Sequence, residues 1–109
     1  GPTMWVGFDL DGTLAYHESG WGMEIIGPPI EPMLQCLKAY LEQGHEVRIF
    51  TARAWMGPRE IQRVKEWLHA NGLPQLQITC VKDPEMIYFY DDRAIQVEKN
   101  TGRILGKAR

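Results

Sequence analysis

Short apolar runs alternating with stretches of helical periodicity restrict this chain more than any other feature. Met4 to Leu10 (MWVGFDL) is a β-forming apolar run bounded by Asp11-Gly12 and reads as a buried strand. Residues 15–29 hold several glycines and prolines and read as a loop, with a small hairpin expected around Met23–Ile26. Ile30, Met33, Leu34, Leu37, Tyr40 and Leu41 then recur at helical spacing, with Pro32 in the first turn and Gly44 just past the end. His45 to Thr51 reads as a second strand with Val47 and Ile49 inward. A second helix begins near Pro58, carries Ile61, Val64, Trp67 and Leu68 as its apolar stripe, and ends at Asn71-Gly72. Gln77–Val81 and Met86–Tyr90 are two further strands. Asp92 to Gln96 is expected to turn through a short helix, and Val97 to Leu105 to add a hairpin-like strand around Asn100-Thr101-Gly102. Such alternation implies βαβ units, hence an α/β fold with a parallel sheet and helices on its faces.

The 109 residues suffice for one domain, expected over residues 4–109; residues 1–3 read as a scar of tag removal ahead of Met4. A 44% apolar and 24% charged composition is that of a soluble globular protein, and a net charge of -2 offers no basic footprint for general nucleic-acid or membrane binding. No apolar run approaches the roughly 18 residues of a spanning helix, and no signal-peptide pattern opens the chain. Cys36 and Cys80 have neither metal-site spacing nor disulfide density; as buried free thiols they fit a cytoplasmic location.

Ligands of parallel α/β sheets bind beyond the carboxyl ends of the strands. Those ends read Asp9-Leu10-Asp11, Thr51-Ala52-Arg53, Val81-Lys82-Asp83 and Asp91-Asp92-Arg93. The four carboxylates of Asp9, Asp11, Asp91 and Asp92, a hydroxyl and a lysine, far apart in sequence, are thereby expected on one rim. The acids would repel one another unless a cation sat among them, and oxygen ligands completed by a phosphate suit Mg²⁺. Carboxylates, a hard cation, Thr51 and Lys82 together describe phosphoryl transfer.

These residues carry a family resemblance. FDLDGTLA resembles the DxDGTL signature of the haloacid dehalogenase superfamily of phosphohydrolases. RIFTAR is similar to the superfamily's second, Thr-bearing motif, Lys82 to its third, and YFYDDRA to its acidic fourth. The resemblance spans residues 5–94 and implies a three-layer, Rossmann-like sheet ordered 5-4-1-2-3, with strand 1 central. It further implies Asp9 as nucleophile, forming an aspartyl-phosphate, and Asp11 as general acid and then base. Gly12 would make the tight turn. Mg²⁺ would be held by Asp9, the Asp11 main-chain oxygen and Asp92, with Asp91 sharing the role or acting through water. Thr51, Ala52, Gly12 and Lys82 would hold the phosphoryl group. An acid at position 11 favours phosphate esters over halides, because an alkoxide leaving group needs a proton.

Residues 15–31 and 54–81 leave no room for a cap domain, so the site is expected to be open to a large phosphorylated substrate or closed by a lid from a neighbouring copy. A nucleotide or polynucleotide phosphate, a sugar phosphate and a phosphoprotein all remain candidate substrates. Trp21, Met23, Ile25, Trp55 and Met56 could form an apolar rim or pack inside. Arg53, Arg93 and His17 could touch substrate; the arginines could equally serve in ion pairs, and His17 could be a plain loop residue. Asp83 and Glu85 read as solvated loop acids. Two other readings stand beside the phosphatase. A receiver-like phosphoacceptor also uses an acidic cluster, but with its acceptor Asp on a middle strand, where this chain has Thr51. A non-catalytic regulatory domain on the same fold leaves the intact motifs without a purpose.

Overall fold

A computed structural model describes residues 4–106; the expected scar at residues 1–3 lies outside them. Strand β1 (Trp5–Phe8) is buried at every position. Its alternate side chains nevertheless serve different faces. Val6 and Phe8 join Leu10, Leu14, Val47 and Ile49 in the main core, whereas Trp5 and Gly7 point to the opposite side. Helix α1 (Glu31–Glu42) contributes Leu34 and Leu37, and helix α2 (Pro58–Ala70) contributes Val64, Trp67 and Leu68 to the same core. Removing one of these large side chains, as in Leu37→Ala, costs about 2–5 kcal/mol through lost transfer energy and a residual cavity.

Both helices end as the sequence implies. In α1, the His45 N–H reaches Tyr40 O (3.0 Å) and the Gly44 N–H reaches Leu41 O (3.0 Å); in α2, Leu73 reaches Leu68 O (3.0 Å) and Gly72 reaches His69 O (3.1 Å). These paired bonds satisfy the last carbonyls and turn each chain sharply into the next segment.

Strands β2 (Glu46–Phe50), β3 (Gln77–Thr79) and β4 (Met86–Tyr90) complete a four-stranded, all-parallel sheet ordered β3-β2-β1-β4. Strand β1 is one of the two inner strands, between β2 and β4, and no fifth strand joins the sheet among the described residues. Val97 and Ile104 form an isolated antiparallel bridge apart from it, and residues 92–96 form no helix, with bends only at Asp92 and Arg93. Beyond Thr79 the third strand stops short of Val81. The hairpin expected around Met23–Ile26 is absent; the loop is instead closed at its neck by an Ala15–Pro29 bridge.

The expectation of helices on both faces is also corrected. The steps from β1 to β2 and from β2 to β3 advance in the same direction, and right-handed crossovers then place both helices on one side. The return from β3 to β4 has only residues 80–85, too few for a helix. They cross the other face and close over Trp5, whose indole Nε1 donates to Asp83 Oδ1 (2.8 Å) while its N–H donates to Glu85 O (2.9 Å). Arg48 lies 4.5 Å over the Trp5 ring and also binds Asp83 (3.2 Å). Asp83 is therefore an anchored acid, though its side chain stays partly exposed, and the Trp5 hydrogen bond, helped by Arg48, holds its pKa below the usual carboxylate value. No described helix is long and apolar enough to cross a membrane.

Candidate functional site

The Asp9 N–H continues the parallel ladder by donating to Tyr90 O (2.9 Å), which brings the end of β1 beside Asp91 and Asp92. Tyr90 itself is fixed by stacking on Phe8 (centroids 4.6 Å apart) and by a 2.6 Å hydroxyl contact with Tyr40. Carboxylate oxygens of Asp9, Asp91 and Asp92 consequently lie within 4.8 Å of one another. Burial, followed by the hydrogen bond to the Asp92 carboxyl and the charge of Asp91, pushes the Asp9 pKa up to about 8. Acids crowded this closely raise one another's pKa unless a cation offsets their charge.

The turn after β1 is built around this cluster. Leu10 O accepts from the N–H groups of Thr13, Leu14 and Ala15, and the Gly12 N–H donates to Ala15 O (2.8 Å). Gly12 has φ +93°, and a Cβ there would stand 2.7 Å from Asp92 Oδ2. Only glycine both adopts the turn and lets Asp92 approach. The Thr13 hydroxyl, to which the sequence motifs assigned no role, lies 3.3 Å from Asp9 Oδ2 and 3.2 Å from Asp92 Oδ1, and accepts from the Asp92 N–H (3.0 Å). Its place directly after the DxDG run was the available signal.

Asp11 does not join the acidic cluster through its side chain. Its carboxylate takes two bonds from Arg53, Nε–Oδ2 at 2.7 Å and Nη2–Oδ1 at 3.0 Å. The same guanidinium binds Glu60 (2.9 Å) and the main-chain oxygens of Met23 and Ile25 (3.0 Å for Ile25). Arg53 is only 2% exposed, so its expected alternative as a substrate contact is not realised: all its donors face inward. Burial alone would lower its pKa, but its hydrogen bonds to Asp11 and Glu60 and their negative charges outweigh that and raise it. Glu60, also missed by sequence reasoning, resembles an ordinary first-turn helix acid until the fold packs it against Arg53.

Thr51 is buried at the end of β2, and its Oγ1 accepts from the Arg53 N–H (3.2 Å), capping the 3₁₀ helix Ala52–Met56. Ala52 is the first residue of that helix, so its N–H has no partner within it. Lys82 is exposed and forms no hydrogen bond or ion pair among the described residues. Its neighbour Asp83 is tied to Trp5 at the start of β1, about 13 Å of strand rise from Asp9. The expected contact of Lys82 with the acids is thus not formed. Arg93 and His17 are exposed, with His17 edge-on to Trp21.

No protein-family profile matches the chain, and no curated protein sequence does. A solved structure does. A conserved protein from Bacteroides thetaiotaomicron is similar with a TM-score of 0.63 at 22% identity, over 85% of this chain and 78% of that one. At that identity the likeness concerns the fold alone.

Proposed function

We propose that this protein is a metal-dependent phosphomonoester hydrolase of the haloacid dehalogenase type on a Rossmann-like sheet, working through an aspartyl-phosphate. The observation that carries the reading is the convergence of Asp9, Asp91 and Asp92 within 4.8 Å, with Gly12 leaving room for Asp92. The donor set is all oxygen and anionic, which fits a hard divalent cation such as Mg²⁺. Asp9, Asp91 and Asp92 would hold it with the Asp11 main-chain oxygen, and when bound it would offset charge on the phosphoryl oxygens.

Asp9 Oδ forms a bond to phosphorus as the ester P–O bond breaks, and the bonding pair leaves with the ester oxygen, which takes a proton from Asp11. Water then attacks the aspartyl-phosphate and gives its proton to Asp11; phosphate departs and the Asp9 carboxylate is regenerated. Arg53 holds both Asp11 oxygens away from the acid cluster in this structure, so the proton transfers require the Asp11 carboxyl to turn from the guanidinium toward the ester oxygen. Thr51 and the Ala52 N–H offer donors to the phosphoryl oxygens. The rim is open, so the substrate itself or a neighbouring copy of the chain would complete its closure. Two free thiols are in keeping with a cytoplasmic setting.

Hydrolysis of p-nitrophenyl phosphate with and without Mg²⁺ tests the proposal. Metal-dependent turnover that disappears in Asp9→Asn is expected; turnover by wild type no faster than by Asp9→Asn would overturn it.

A further inference from the structure

The Asp11 carboxyl has two calls on it. At rest it accepts from Arg53 Nε at 2.7 Å and Nη2 at 3.0 Å, whereas the proposed chemistry needs it at the ester oxygen. When it turns there, Arg53 loses two hydrogen bonds and one counter-charge. The guanidinium is 2% exposed and always protonated, so water does little to make up that loss.

Glu60 sets how hard that departure is. Its Oε1 accepts from Arg53 Nη1 at 2.9 Å, and the residue is itself buried. Among the described residues it is the one other carboxylate paired with Arg53. The main-chain oxygens of Met23 and Ile25 also accept from the guanidinium, but they carry no charge. Glu60 is held in place from two sides: it stands in the first turn of α2, and its carboxylate also accepts from Arg63 Nε at 3.3 Å. With no charge at position 60, a turned Asp11 would leave a buried cation without a negative partner. Asp11 would then stay on Arg53.

We infer that Glu60 is a positioning residue: it keeps Arg53 neutralised while Asp11 turns, and so frees the Asp11 carboxyl to serve the leaving group. This rests on the phosphohydrolase reading above. Glu60 acts through Arg53 alone and has no contact with the acid cluster.

The test is the leaving-group dependence of wild type, Glu60→Gln, Glu60→Asp and Arg63→Gln with Mg²⁺. The substrates are p-nitrophenyl phosphate and phenyl phosphate, which have similar shapes. The nitrophenolate leaves with little help from an acid, whereas the more basic phenolate needs the proton. The readout is kcat/KM for the nitrophenyl ester divided by that for the phenyl ester, because kcat/KM covers the steps through departure of the ester oxygen. That ratio is expected to rise about fivefold in Glu60→Gln and about twofold in Glu60→Asp, which keeps the charge at a shorter reach. Arg63→Gln cuts the bond from Arg63 to Glu24 O but leaves the Glu60 charge, so its ratio is expected to match wild type. A role confined to holding the fold would lower kcat/KM for both esters alike. An unchanged ratio in Glu60→Gln therefore overturns the inference and leaves the phosphatase standing, as does an equal rise in Arg63→Gln. If Glu60→Gln shows no cooperative urea transition, Glu60→Asp decides by the same ratio, and no rise there overturns the inference. Wild type that hydrolyses neither ester faster than Asp9→Asn overturns the phosphatase reading and this inference with it.

Discussion

Asp11 is held by Arg53: both of its carboxylate oxygens accept from one buried guanidinium, at 2.7 and 3.0 Å. The arginine is bound in turn by Glu60 and by two carbonyls of the loop over residues 16–29. One side chain thereby joins the proposed proton carrier, helix α2 and the loop that borders the site.

Arg53→Ala would leave two acids facing a buried space without their cation. Breaking a buried pair in this way is expected to cost about 3–5 kcal/mol, read as a lower urea midpoint. Arg53→Lys keeps the charge but cannot make the forked contact, so partial recovery of stability with poor recovery of turnover is expected.

Gly12→Ala would place a methyl against the Asp92 carboxylate in a backbone region that L side chains rarely adopt. The left-handed conformation alone costs about 1–2 kcal/mol. A lower Tm and weaker Mg²⁺ binding by calorimetry are expected together, whereas a purely local strain would lower Tm only.

Asp9 gives the metal-free protein a distinct pH dependence. Its folded-state pKa is raised from 3.8 to about 8, so between these values the folded protein binds more protons than the unfolded one. Its contribution to stability is therefore lost as pH rises through that window, at up to about 1.4 kcal/mol per pH unit. Without metal, wild type should lose Tm relative to Asp9→Asn from pH 5 to 8. Added Mg²⁺ should restore it by offsetting the repulsion; parallel Tm curves for the two proteins would refute this.

Lys82 separates sequence resemblance from geometry. With residues 80–85 laid over Trp5, Lys82→Ala is expected to change kcat by less than about threefold, a surface substitution near ±0.5 kcal/mol. A loss of a hundredfold or more would show that this segment leaves Trp5 to cover the site during turnover.

Much of the molecule was legible in the chain because its signals are local. Apolar runs, helical spacing and the glycines at 44 and 72 act within a few residues, and they located four strands and two helices to within a residue or two. The acids at 9, 91 and 92 could be brought together on paper because parallel strands deliver their ends to one edge. The six residues between β3 and β4 were a readable sign that no helix lies in that connection, because a helical crossover needs a dozen or more.

Only tertiary structure decided the partners of charged side chains. Arg53 could have faced substrate or an acid, and Glu60 and Asp83 looked like solvated surface. Their roles depend on which groups lie opposite, and that is set by the packing of distant segments: α2 against the loop for Arg53, and residues 80–85 across β1 for Asp83. The same packing drew the side chain of Asp11 away from the acid cluster. Residue order set which groups stand at each strand end; long-range burial and charge pairing determined which of them meet.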